Sequence, residues 1–237
     1  MKKRLITLNV ILGIIVVLLM SSFLLINSFF KENIPVIAYQ EEISIKEFTK
    51  HIEWLKDNKY QTLSLDELYN WKNGKEIEGR KVVIIFDFVT DDIYEKYLSI
   101  LENKHMKSTI FITESLINSD NYLSSKQIEE LSNNRFIDIQ SSSYSLLKEE
   151  DIKSNDYNIY NEDFNKLNYD YYSYPLNYYS DNYIKALKDH KYLLAFTNNN
   201  KWVNKNDNPY KMSKIAIDNK TTFNKFKYYL TIKNSSK

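Results

Sequence analysis

The chain has 237 residues, with 32 Lys and Arg against 31 Asp and Glu and a formal net charge of +1. That balance excludes a global field drawing the protein to nucleic acid, so any partner is recognised locally. The absence of cysteine excludes disulfides, thiolate zinc sites and thiol catalysis, and leaves His51, His105 and His190 as the whole supply of imidazole.

The amino terminus carries the clearest topological signal. Lys2, Lys3 and Arg4 precede an uncharged apolar run from Leu5 to Phe30. At about 26 residues and about 1.5 Å each, the run exceeds the roughly 30 Å hydrocarbon core. It ends in "NSFFKEN", without the small-residue site of a cleaved signal peptide, so an uncleaved anchor is expected. The flanking cations place the N-terminus in the cytoplasm and the rest outside it. The expected organisation is a cytoplasmic tip and transmembrane anchor over residues 1–31, then one extracytoplasmic domain over residues 32–237.

Past the anchor, short apolar runs alternate with helical patterns. "IPVIAY" (Ile34 to Tyr39) reads as a strand, and the following helix presents Phe48, Ile52 and Leu55 on one face, with Ser44 and Glu47 as a capping box. Ser64 and Glu67 repeat the device, with Gly74 as the expected C-cap. "KVVIIF" (Lys81 to Phe86) is continuously apolar, as a parallel strand covered on both faces must be. A helix is predicted from about Asp91 to Asn103, with Ile93, Tyr97, Ile100 and Leu101 facing inward. "STIFIT" is a strand, Ser124 and Gln127 cap a helix, and "FIDIQ" is a strand. Leu146 to Leu167 is polar and weakly periodic, and reads as a long excursion. The strand "YYSYP", the helix "SDNYIKALKDH", the strands "YLLAFT" and "KIAI" and a closing helix from about Thr222 to Ile232 complete the chain. This alternation predicts an α/β fold around a mostly parallel sheet of about seven strands, closed or partly closed. Such folds carry their sites at the carboxyl ends of strands, here after Asp87, Thr113, Gln140 and Pro175.

Those strand ends, in that order, resemble the polysaccharide deacetylase family, the NodB-homology domain of carbohydrate esterase family 4. "IPVIAYQ" is similar to the family's "IPVLMYH", "STIFIT" to "ATFFV", "FIDIQSSSYSLL" to "IEIGSHTYSHL", and "YSYPLNYYSDNYIKALKDHKYLLAFT" to "FAYPYGxYN...AL...GY..AFT". The resemblance implies a distorted (β/α) barrel, preceded here by one transmembrane helix, and a metal-dependent N-deacetylase of cell-surface glycans. The functional positions depart from the pattern. Where the family reads T-F-D-D-G, with a base and then a metal ligand, this chain reads Ile85, Phe86, Asp87, Phe88 and Val89. Where the family places two ligand histidines in H-[ST]-x-x-H, this chain has Ser142 and Leu146. The resemblance thus leaves Asp87 as a vestigial base and Phe88, Ser142 and Leu146 as degenerate metal positions, so no zinc or other divalent cofactor is expected. Attack on an amide by metal-bound water needs the ion to lower the pKa of that water toward about 7. Further departures are Val89 at the turn glycine, Leu176 and Asn177 for the aromatic and glycine of "YPYG", Gln40 for a strand-end histidine and Lys214 for a late arginine.

Each residue also has a plainer reading. Asp87 can simply cap a turn, and Asp91 and Asp92 suit the start of a helix. With Asp138 these carboxylates are the one conceivable rebuilt site, an oxygen-only one suited to calcium or magnesium. The histidines are expected in scattered surface or capping positions, and Ser142, Ser143 and Ser145 lack a visible histidine partner. Tyr174, Tyr178 and Tyr179, in a tyrosine cluster at a strand's carboxyl end, are the candidates for stacking on sugar rings. The reading favoured is a catalytically inactive deacetylase-like domain that binds or helps process a cell-surface N-acetylated polysaccharide. The alternatives are a divergent amide hydrolase with the rebuilt site, or a scaffold that contacts polysaccharide synthesis or export proteins. The membrane is the other expected partner, and nucleic acid is not one.

Overall fold

The computed structural model describes residues 2–87, 89–143 and 147–231. Helix α1 (Lys2–Glu32) leads directly into β1 (Asn33–Ile34) and, past Pro35, β2 (Val36–Tyr39). Helix α2 (Ile45–Asp57) starts at Ser44, whose hydroxyl accepts from the Glu47 N–H at 3.2 Å. The reciprocal half of the expected capping box is not made, because the Glu47 carboxylate pairs with Lys50. Next come β3 (Tyr60–Leu63) and α3 (Leu65–Lys72), which has a complete Ser64–Glu67 box and Gly74 at φ +109° just past its end. Strand β4 (Arg80–Phe86) is buried from Val82 onward. The next helix comprises α4 (Asp91–Ile93), a π turn (Tyr94–Leu98) and α5 (Ser99–Asn103). The wider turn shifts the inward face, so Leu98 is buried with Ile93, Tyr97 and Leu101, and Ile100 is only partly covered.

Strand β5 (Ser108–Thr113), helix α6 (Ser125–Ser132) and strand β6 (Ile137–Ser143) follow, α6 with the complete Ser124–Gln127 box. The predicted excursion over Leu146 to Leu167 is corrected by two helices, α7 (Glu149–Lys153) and α8 (Tyr157–Phe164). Asp156 caps α8, and Ile152, Tyr160 and Phe164 are buried against the domain, which supplies the stability their weak periodicity concealed. Strand β7 (Tyr171–Ser173), helix α9 (Asp181–Asp189), strands β8 (Leu194–Thr197), β9 (Val203–Asn204), β10 (Met212–Ser213) and β11 (Ile215–Ile217), and helix α10 (Phe223–Tyr229) complete the order.

Nine strands form one parallel sheet in the order β10-β8-β7-β6-β5-β4-β2-β11, with β3 paired to the lower half of β4. Strands β10 and β11 are two halves of one extended segment interrupted only by Lys214. The first half pairs with β8 and the second with β2, so this segment brings the two ends of the sheet together into a nearly closed (β/α) barrel. Val36, Ala38, Val83, Ile85, Phe111, Phe196 and Met212 belong to the apolar filling of the barrel, while Ile37, Ile84, Ile110 and Ile215 pack outward beneath the helices. Alternating side chains on parallel strands account for both cores. A third cluster, under α7 to α9, is rich in tyrosine: the Tyr160 and Tyr183 rings stack at 4.1 Å, and the Tyr172 and Tyr183 hydroxyls hydrogen-bond at 2.6 Å.

Candidate functional site

The inward alternation through Val83 and Ile85 carries Asp87 to the barrel's carboxyl-end mouth, and the same rule brings Ser173 up from Tyr171 and Lys214 from Met212. These three side chains meet. The Lys214 ammonium lies 2.6 Å from Asp87 Oδ2 and donates to Ser173 Oγ at 2.5 Å, and Ser173 donates in turn to Asp87 Oδ1 at 2.7 Å. Gln40 Nε2 donates to Asp87 Oδ2 at 3.2 Å. Both carboxylate oxygens are therefore engaged, in charge-assisted bonds shielded from water, with side-chain exposures of 2% for Lys214 and 12% for Asp87. Lys214 is held there because its backbone closes the barrel: its N–H donates to Thr197 O at 2.6 Å, and its carbonyl accepts from Asn200 N–H at 2.9 Å.

Ser142, one of the three positions the resemblance aligns with the family's metal ligands, sets its hydroxyl against Ile112 O and Thr113 Oγ1, each at 3.2 Å. The other two, Phe88 and Leu146, lie outside the described residues, as does Ser145. Val89, at the position of the family's turn glycine, is 7% exposed and packs into the outer core. Asn177, at the glycine position of "YPYG", has φ +57°, a conformation asparagine tolerates. Beside Asp87 the mouth opens into a cleft of about 70 Å³ lined by Val89, Phe111, Thr113, Leu116, Tyr122 and Ile128. Sequence reasoning missed this cleft; its only trace was the apolar character of Leu116, Ile117, Tyr122 and Leu123 in a segment otherwise read as a connection.

The carboxylates considered for a rebuilt site are not gathered around Asp87. Asp138 lies beside Thr109 near the start of β6, two strands away from β4 and level with Ile85, about 7 Å below Asp87 at about 3.3 Å per residue. Burial raises its carboxyl pKa, against the lowering effect of a hydrogen bond from Gln140. Asp91 accepts from the Asp92 N–H at 2.9 Å and Asp92 pairs with Lys96 at 2.9 Å, so both serve the start of α4. Among the described residues, no group of three or more His, Cys, Asp or Glu could hold a metal ion. The histidine expectation holds for two of three. His105 occupies a left-handed turn at φ +55°, and His190 ends α9 with Nε2 2.9 Å from Asn161 Oδ1. His51 is instead buried, its ring stacked nearly parallel on Phe226 at a centroid distance of 3.8 Å.

The tyrosines divide. Tyr174 is 3% exposed, with its hydroxyl donated to Tyr210 O at 3.0 Å, so it packs in the third core and not in a groove. Burial raises the pKa of its hydroxyl. Tyr178 and Tyr179 are half-buried at the edge of that cluster, with Lys211 Nζ 5.1 Å over the Tyr179 ring.

A nearly closed parallel barrel agrees with what the comparisons find. Residues 74–195, about half of the chain, match the polysaccharide deacetylase family, and the chain belongs to it. It is 26% identical over 199 residues to the poly-beta-1,6-N-acetyl-D-glucosamine N-deacetylase of Staphylococcus epidermidis, covering 75% of this chain and 68% of that protein. Among solved structures it is similar to the Streptococcus pyogenes deacetylase PplD in complex with acetate, with a TM-score of 0.75 at 17% identity over 85% of this chain and 99% of that one. It is likewise similar to IcaB from Ammonifex degensii, with a TM-score of 0.69 at 14% identity over 83% of this chain and 94% of that one. At those identities the two likenesses show the fold alone.

Proposed function

We propose that this chain is a membrane-anchored, extracytoplasmic member of the polysaccharide deacetylase family that binds an N-acetylated cell-surface polysaccharide without hydrolysing it. The observation that carries the reading is the engagement of Asp87: Lys214, Ser173 and Gln40 donate to its two oxygens, so the domain's own groups occupy the positions from which a base would take a proton from water. The residues at the family's metal positions do not fit the ion. Phenylalanine and leucine have no donor atom, and the neutral Ser142 hydroxyl, already set against Ile112 O, is a poor zinc ligand. The name of the Staphylococcus epidermidis relative directs the choice of glycan to poly-beta-1,6-N-acetylglucosamine. In this reading the cleft beside Asp87 receives a small methyl-bearing acetamido group, and the half-buried Tyr178 and Tyr179, which do not line that cleft, offer ring faces to a sugar outside it. The anchor is α1, whose segment Asn9–Glu32 is long and apolar enough to cross a bilayer, with a mean hydropathy of 2.7.

The test combines elemental analysis, acetate release and binding on the full chain in detergent, with β-1,6-linked N-acetylglucosamine oligomers as the probe. The expected result is no stoichiometric zinc, no acetate and saturable binding that survives Asp87→Asn. Turnover abolished by a chelator or by Asp87→Asn would establish the hydrolase alternative. Absence of glycan binding, with co-purification of membrane components, would favour the scaffold.

A further inference from the structure

The last turn of α1 is built into the base of the barrel. Phe29 and Phe30 pack on Trp202 at ring-centroid distances of 5.4 and 5.8 Å, and the Arg80 guanidinium lies 5.2 Å over the Phe30 ring. A helix leaves its final carbonyls without intrahelical partners, and here groups of the domain take them. Asn33 Nδ2 donates to Phe29 O at 3.0 Å, Trp71 Nε1 to Lys31 O at 2.8 Å, and the Lys205 N–H to Glu32 O at 3.0 Å. Asn33 begins β1 immediately, so no flexible linker separates the helix from the barrel. A groove runs between the helix and the turn leading into β4. Phe23, Leu24 and Ile26 line its helix end, and Lys31, Glu78 and Arg80 line its barrel end.

We propose that this groove seats a membrane phospholipid, with an acyl chain along Phe23 to Ile26 and the phosphate at Lys31 and Arg80. The base of the barrel then rests on the headgroup layer, and the Asp87 mouth points away from the bilayer. The proposal rests on the reading of α1 as a retained anchor. The dimensions agree with it. From Phe23 to Lys31 the helix rises about 12 Å at about 1.5 Å per residue, which puts the cations at the polar boundary when the apolar length lies in hydrocarbon. Two cations outnumber the single Glu78 carboxylate on this rim, and an anionic headgroup supplies the countercharge. Strand β4 runs from Arg80 at the base to Phe86 at the mouth. That is about 20 Å at about 3.3 Å per residue, more than the roughly 5 to 8 Å of headgroup layer on one side of a bilayer.

The chain contains no cysteine, so single cysteines introduced at exposed positions report without background. The test uses the full chain in vesicles of phosphatidylcholine and phosphatidylglycerol bearing a headgroup-level nitroxide quencher. A fluorophore is attached at Glu78→Cys, at the base, or Glu41→Cys, at the mouth. The expected result is flotation with the vesicles and quenching several-fold stronger at position 78 than at position 41. The excess should fall when phosphatidylglycerol is omitted or when Lys31→Gln and Arg80→Gln are combined. Flotation with equal quenching at the two positions, or with stronger quenching at position 41, overturns the seating while leaving the anchor intact. Quenching insensitive to both phosphatidylglycerol and the double substitution overturns the phosphate contact. Failure to float overturns the anchor reading and the seating with it.

Discussion

Lys214 and Asp87 show how one buried contact depends on its partner. Each charge has left water, and the cost is offset only while the other stays in place with Ser173 and Gln40 around it. Lys214→Met should therefore destabilise the domain by about 3 to 5 kcal/mol, because it leaves a shielded carboxylate uncompensated. Combining Lys214→Met with Asp87→Leu should recover most of that loss, and urea unfolding of the single and double variants measures both. His51 gives a pH prediction. Burial lowers its pKa from 6.5 to about 4, with Nδ1 on the Tyr39 hydroxyl and Nε2 without a hydrogen-bond partner among the described residues. Between those two values the unfolded chain takes up a proton that the native state does not. Stability therefore falls as pH drops from 6.5 toward 4, by up to about 3 kcal/mol. His51→Phe should remove that part of the slope when unfolding midpoints are compared across the range.

Elements were legible where their own residues carry the cause. The Ser64–Glu67 and Ser124–Gln127 pairs cap their helices as read, and the unbroken apolar run before Asp87 is a central parallel strand. The failures have physical reasons. Ser44 and Glu47 make half a box because Lys50, one turn on, competes for the carboxylate. Helices α7 and α8 carry no clear periodic signal because α7 is one turn of mostly charged residues and half of α8 is tyrosine and asparagine, and their inward face is defined only by what they cover. Phe164, 1% exposed and in edge contact with Tyr172, joins α8 to β7. Phe164→Ala should cost about 3 to 5 kcal/mol and should speed amide exchange in α8 well before it affects the strands.

At the scale of the whole molecule, α1 and the barrel form one body at their junction, where Phe30 is only 8% exposed and belongs to the outer core. A chain beginning at Ser28 should unfold at the same temperature as the full chain. One beginning at Asn33 should lose about 2 kcal/mol, the burial of one large aromatic side chain, and melt several degrees lower. Calorimetry on the two truncations separates the outcomes.

By itself the sequence determined the apolar amino-terminal helix, the parallel α/β class, the family and the residue types at the positions aligned with the family's motifs. All of these are written in local composition, periodicity or aligned residues. Tertiary structure alone decided what becomes of Asp87, because the group that engages it is Lys214, whose place at the mouth follows from barrel closure between β10 and β11. It also decided that Tyr174 is core, that His51 is buried and that α1 enters the base without a linker. Contacts between residues distant along the chain leave no periodic trace in either segment, since each side chain is chosen for a partner that only folding brings near.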